Sequence, residues 1–121
     1  MDAPAQCEHM GKKIVELDFA GVTDIALLKE RITAYQLFIA SHPKRSLRVL
    51  SNLTGCSVNK HTVELFKEFT SHNKPYIIAS AVYGLTGFAK IFVNAVNQFS
   101  KRDINLFDDP TKAKNWLVTR S

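Results

Sequence analysis

Three short stretches of this 121-residue chain carry side chains of the kinds that chemistry uses. The first is Gly55-Cys56-Ser57, with His61 four residues beyond Ser57. A thiol or hydroxyl on a turn beside an imidazole is the start of an activated nucleophile, but a third group must orient the base. No Gly-x-Ser-x-Gly elbow accompanies it. The plainer roles are a small core thiol for Cys56 and a helix cap for Ser57 or Asn59. The second stretch is Gly84-Leu85-Thr86-Gly87, which follows an apolar run and opens a helix. Backbone N–H groups gather at such a place and favour an anion, so Gly84, Thr86 and Gly87 are a candidate ligand turn. It is neither of the standard glycine-rich phosphate motifs, and Lys90 falls one residue late for a phosphate loop. The competing reading gives Gly84 a positive φ, makes Thr86 a cap and lets Gly87 pack closely on the sheet. The third stretch is Cys7-x-His9, where strand alternation puts both side chains on one face. Two ligands without a third or fourth do not make a metal site. Asp108-Asp109 precedes a helix, where acids complement the dipole. No catalytic residues, no metal and no cofactor are expected, and an enzyme is the least supported class.

The elements that position these stretches follow from periodicity. Gln6–His9 and Lys13–Phe19 flank Met10-Gly11 and predict a β-hairpin. Thr23 or Asp24 can cap a helix whose Ile25, Leu28, Ile32, Tyr35 and Ile39 recur at three and four. That helix should end before Pro43. A strand over Leu47–Leu53 leads through the polar loop Thr54–Asn59 to a helix over Lys60–Ser71, with Val63, Phe66 and Phe69 inward. Tyr76–Tyr83 is nearly all apolar, as a strand covered on both faces would be. The next helix carries Phe88, Ile91, Phe92, Ala95 and Phe99; Phe88, Phe92 and Phe99 are read as core. Ile104–Phe107 forms a short strand, and Asp109-Pro110 opens a last helix with Ala113, Trp116 and Leu117 inward. The order is β-β-α-β-α-β-α-β-α. Helical crossovers between strands predict a mostly parallel five-stranded mixed sheet with about four helices, the hairpin supplying one antiparallel edge strand.

Composition narrows the class. An apolar share of 45% with 22% charged residues suits one domain, residues 1–121, with a single core. No apolar run approaches the roughly 20 residues of a membrane span. Met1–Met10 is polar and lacks a signal pattern, and the two cysteines read as reduced thiols, so a cytoplasmic protein is expected. The net charge of +5 raises a nucleic-acid partner. The basic residues are scattered, however, and no aromatic-interleaved strand or arginine-rich helix accompanies them, so none is expected.

Several strings then point to a family: Gly11-Lys12-Lys13-Ile14, Asp18-Phe19-Ala20-Gly21, Asn73-Lys74-Pro75-Tyr76, Ala81-Val82-Tyr83-Gly84-Leu85-Thr86-Gly87, and Leu106-Phe107-Asp108-Asp109 with Ala113-Lys114-Asn115-Trp116-Leu117. Together with the element order, they resemble the SpoIIAA-like family within the STAS and SEC14-like domains, from about Gln6 to Val118. The resemblance implies a bacterial-type regulatory binding domain, similar to antagonists of anti-sigma factors and partnered by a regulatory kinase or an anti-sigma-like factor. The family's phosphorylated Asp-Ser-Ser-Gly-type motif falls on Lys60-His61-Thr62-Val63, where only Thr62 keeps a hydroxyl. The expected partner surface is the Thr54–Asn59 loop with the helix start, namely Ser57, Asn59, Lys60, His61 and Thr62. The rival expectation is a module for an anionic metabolite, nucleotide or lipid at the C-terminal ends of the strands, where Asp18, Asn52, Thr54, Gly84, Thr86 and Gly87 would converge; the SEC14-like side of the resemblance supplies the lipid. An edge strand and an exposed helix face can support a homodimer.

Overall fold

Residues 3–121 are described in a computed structural model; Met1 and Asp2, the start of the polar Met1–Met10 stretch, lie outside them. Among the described residues the chain forms five strands and four helices: β1 (Ala5–His9), β2 (Lys12–Asp18), α1 (Ile25–Ala40), β3 (Leu47–Asn52), α2 (Lys60–Asn73), β4 (Ile77–Tyr83), α3 (Lys90–Ser100), β5 (Ile104–Phe107) and α4 (Pro110–Thr119). The strands make one sheet in the order β1-β2-β3-β4-β5. β1 runs antiparallel to β2, and every other pair is parallel. This is the mixed, mostly parallel α/β sheet with an antiparallel edge hairpin that the sequence predicts. At the hairpin tip both Met10 (φ 51°) and Gly11 (φ 80°) are left-handed, the sign pattern of a tight two-residue turn.

Strands laid down in chain order, with right-handed crossovers, put successive helices on one side. Accordingly α1, α2 and α3 cover the face bearing Val15, Leu17, Val49 and Val82. The last helix follows the last strand and has no crossover to make. It folds under the opposite face, where Ala113 and Leu117 meet Ile14, Leu50, Ala79 and Ala81. The alanines let the helix approach closely. Arg48 fastens its end, with Nε donating to the Leu117 carbonyl at 3.1 Å and Nη2 to that of Arg120 at 2.8 Å. Strand alternation sets these faces, with one interruption: Leu47 pairs with Ile77 but Arg48 with Ala79, so Ile78 is an extra residue. That bulge restores the small residues of β4 to the α4 side.

The caps are local and follow residue type. Asp24 Oδ2 accepts from Leu27 N at 3.0 Å, and Asp109 Oδ1 from Lys112 N at 2.9 Å with Pro110 in the first turn. α3 departs from expectation. A single 3₁₀ turn, Gly87–Ala89, precedes it, and the helix proper begins at Lys90. Phe88 and Phe99, read as core, are 87% and 54% exposed, and Ile91 is 61% exposed. The inner face is Phe92, Val93 and Val96. At 3.6 residues per turn the stripe 88-91-95-99 is rotated by roughly 100° from that face. Both stripes are apolar, so periodicity alone could not choose between them.

Phe19, just past β2, is fully buried and meets three rings edge-on: Tyr35 of α1 at 5.4 Å, Phe66 of α2 at 5.3 Å and Phe69 of α2 at 6.0 Å. Replacing it removes burial and leaves a void between sheet and helices. Phe19→Ala should therefore lose about 3–5 kcal/mol of stability in urea denaturation. A loss below about 1 kcal/mol would contradict this role.

Candidate functional site

At the C-terminal ends of the strands, three loops are hydrogen-bonded into one platform. The sheet continues past its formal ends: Phe19 N donates to the Asn52 carbonyl at 2.9 Å, and Leu53 N to that of Tyr83 at 2.9 Å. Gly21 N then reaches the Thr54 carbonyl at 2.8 Å, and Ser57 N that of Val22 at 3.0 Å. The third loop is held sterically. Gly84 has φ 93°, and a Cβ there would overlap the hydroxyl and backbone of Thr54.

Of the expected ligand residues, Asp18 and Asn52 share one row across the sheet with Tyr83, and Gly84 abuts Thr54. One side-chain oxygen of each of Asp18 and Asn52 is already engaged in a turn: Asp18 Oδ1 accepts from Ala20 N and Asn52 Oδ1 from Thr54 N. Thr86 and Gly87 lie further out, exposed, and Thr86 makes no side-chain cap to the short turn after it. Beside this row, Glu16, Asp18, Tyr35, Asn52 and Tyr83 line a shallow cleft. Burial, then the Glu16 carboxylate, push the Tyr83 phenol above its ordinary pKa; Lys114 pulls the other way, and Asp18 adds the smallest upward push. Two carboxylates here disfavour an anion.

The expected partner residues do gather. Ser57, Asn59, His61 and Thr62 line a small cleft with Thr23 and Asp24, between the starts of α1 and α2, and Lys60 is exposed next to it. Asn59 is the cap of α2: its Oδ1 accepts from His61 N at 2.9 Å and Thr62 N at 3.1 Å. The reciprocal half is supplied by Thr62, whose Oγ1 accepts from Asn59 N at 2.9 Å and donates to the Asn59 carbonyl at 3.1 Å. Thr62 is only 4% exposed. Its hydroxyl is thus a structural group of the first helical turn, and a phosphoryl donor reaches it only if that turn opens. Burial raises the Cys56 thiol pKa, and its Sγ lies against the Ser57 carbonyl at 3.7 Å rather than against a base. His9, the partner of Cys7 in the short metal-like motif, bonds instead through Nε2 to Asn115 Oδ1 at 2.7 Å.

The residues that sequence reasoning missed lie elsewhere, under α2 and α3. An apolar cavity of about 80 Å³ runs along the sheet, bounded by Leu17, Val82, Phe66, Phe69, Phe92 and Val93. Its polar end, near the start of β5, is made by Arg102, Asn73, Thr70 and Ser80. Arg102 is written in the sequence as half of a surface-looking Lys-Arg pair. Only Ser80, a serine in an otherwise apolar buried strand, hinted that something polar faced it.

Two stability comparisons check this geometry. Asn59→Ala should cost about 1 kcal/mol, the value of a helix cap. Gly84→Ala should cost about 3 kcal/mol, combining left-handed strain with overpacking. Gly11→Ala, with a positive φ but no atoms in the way, should cost only about 1–2 kcal/mol. Equal urea midpoints for Gly84→Ala and Gly11→Ala would contradict the close approach of Gly84 to Thr54. No family model, curated protein or solved structure matches this chain.

Proposed function

We propose that this chain is a non-enzymatic binding domain that acts through protein–protein interaction, and that its partner docks where α2 and α3 begin. The observation that carries this reading is the exposure of Phe88 and Ile91 on the segment leaving the sheet's C-terminal end. Exposed aromatic and aliphatic anchors side by side are characteristic of docking surfaces, whereas single exposed apolar residues are ordinary. Lys90, next to them in the chain, and Lys60 and His61 at the start of α2 are also exposed. An apolar centre with a basic rim fits an acidic amphipathic segment of a partner protein. The resemblance to STAS-like regulatory domains supports the same class and supplies the kind of partner, an anti-sigma-like factor or regulatory kinase. The reading uses the surface of these helix starts and needs no phosphorylation of the buried Thr62. A small anionic ligand at the same loops finds less support, because the polar groups of Asp18 and Asn52 close their own turns.

The test is capture of partners from a lysate of the source organism, followed by calorimetric titration of the captured protein. Phe88→Ser with Ile91→Ser should weaken that interaction by roughly thirty-fold, the effect of losing an anchor worth about 2 kcal/mol. Leu37→Ser, which removes an exposed leucine on α1, should leave it unchanged. An affinity indifferent to the double replacement places the partner elsewhere. Failure of the unaltered chain to capture any protein counts against the whole reading.

A further inference from the structure

We infer that the cavity between the sheet and α2–α3 is a binding site for a small amphiphilic monocarboxylate, its acid group held by Arg102 and its apolar body lying along the phenylalanines. Four observations converge on it. The first is the guanidinium. Arg102 Nη1 donates to the Thr70 carbonyl at 2.9 Å and Nη2 to Ser80 Oγ, both neutral acceptors. No carboxylate among the described residues pairs with it; the two ion pairs present are Lys67–Glu64 and Lys114–Glu16. A half-buried cation facing an apolar cavity without a counter-charge is costly, and a ligand anion would offset that cost. Desolvation alone brings its pKa down to about 10, which still leaves it charged at neutral pH.

The second observation is Asn73. It is 3% exposed, and its Oδ1 has no hydrogen-bond partner. Buried carboxamides are nearly always satisfied, so an orphan lining a cavity points to a missing group. Asn73 lies one turn beyond Thr70 on α2, and Arg102 bonds the Thr70 carbonyl, so amide and guanidinium serve the same end of the cavity. Turning the isosteric amide over would present its N–H to the same acid.

Third, apart from Ser51 the remaining wall is apolar, from Phe66, Phe69, Phe92 and Val93 to Leu53 and Leu85 at the far end. One polar pole and a greasy body is the complement of an amphiphile. Fourth, size excludes large lipids. A cavity of about 150 Å³ holds one benzene, so one of about 80 Å³ takes an acid of roughly three to four carbons. A two-chain lipid does not fit. The site lies beneath the proposed docking surface but does not depend on it, so either can fail alone.

The experiment uses the intact chain and three head groups on one four-carbon tail: butyrate, butanol and butylamine. Calorimetric titration should show butyrate binding roughly ten- to a hundred-fold more tightly than butanol, the range for a hydrogen-bonded charge, with butylamine weakest. Amide shifts in the unaltered protein should centre on Thr70, Ser80, Val93 and Arg102, a readout that needs no variant to fold. Arg102→Gln should abolish the preference for acid over alcohol, and Val93→Phe, which fills the cavity, should remove binding of both. Equal binding of acid and alcohol, shifts centred elsewhere, or no butyrate binding would each overturn the assignment.

Discussion

Phe19 joins three elements that the chain lays down separately. Its ring meets Tyr35, Phe66 and Phe69 edge-on, tying α1 and α2 to the sheet, while its backbone N–H extends the β2–β3 ladder by one bond to Asn52. Each edge-on pair contributes about 0.5–1.5 kcal/mol beyond area burial. Position matters more than the sum. The loops after β2 and β3 leave the sheet within a residue or two of this cluster, and the bonds Gly21–Thr54 and Ser57–Val22 are in register because Phe19 sets where both loops start. The cap of α2, and with it the cleft between the two helix starts, inherits that register.

The two faces of the sheet are packed by different rules. Under α4, alanines on β4 and α4 allow close approach, and Arg48 ties the helix end, leaving a dense layer. The other face must be covered by three helices of unequal length. α3 is the short one, with 11 residues against 16 in α1, and it turns much of its apolar surface outward. Phe92 and Val93 therefore reach the core only in part, and the space between α2, α3 and the sheet is incompletely filled. The same rotation exposes Phe88 and Ile91. The exposed Phe88 and Ile91 and the cavity are two consequences of which apolar face this helix presents to the core.

Much of the fold was legible in the chain. Asp109-Pro110 announced α4, Met10-Gly11 announced the hairpin, and the helix of Ile25 to Ile39 buried the residues its spacing selected. The candidate site was legible as a location but not as chemistry. Ser57, Asn59, His61 and Thr62 do line one cleft, yet no string of residues could show that the Thr62 hydroxyl is consumed by its own cap. The misreading of Phe88 and Phe99 has a similar origin. A helix with two apolar stripes offers two burial solutions, and packing against α2 selects between them.

Residue order by itself determined the succession of strands and helices, the cap at Asp109, the pairs Thr23/Asp24 and Ser57/Asn59 within which the other two caps fall, and the antiparallel start of a parallel sheet. These depend on groups a few residues apart, whose hydrogen bonds and dihedrals answer to residue type alone. Tertiary structure decided the side α4 takes, the face α3 buries, and the meeting of Arg102 with Asn73 and Ser80. Those residues come from three separate elements, 7 to 29 positions apart, and only the crossover geometry brings them to one end of one cavity.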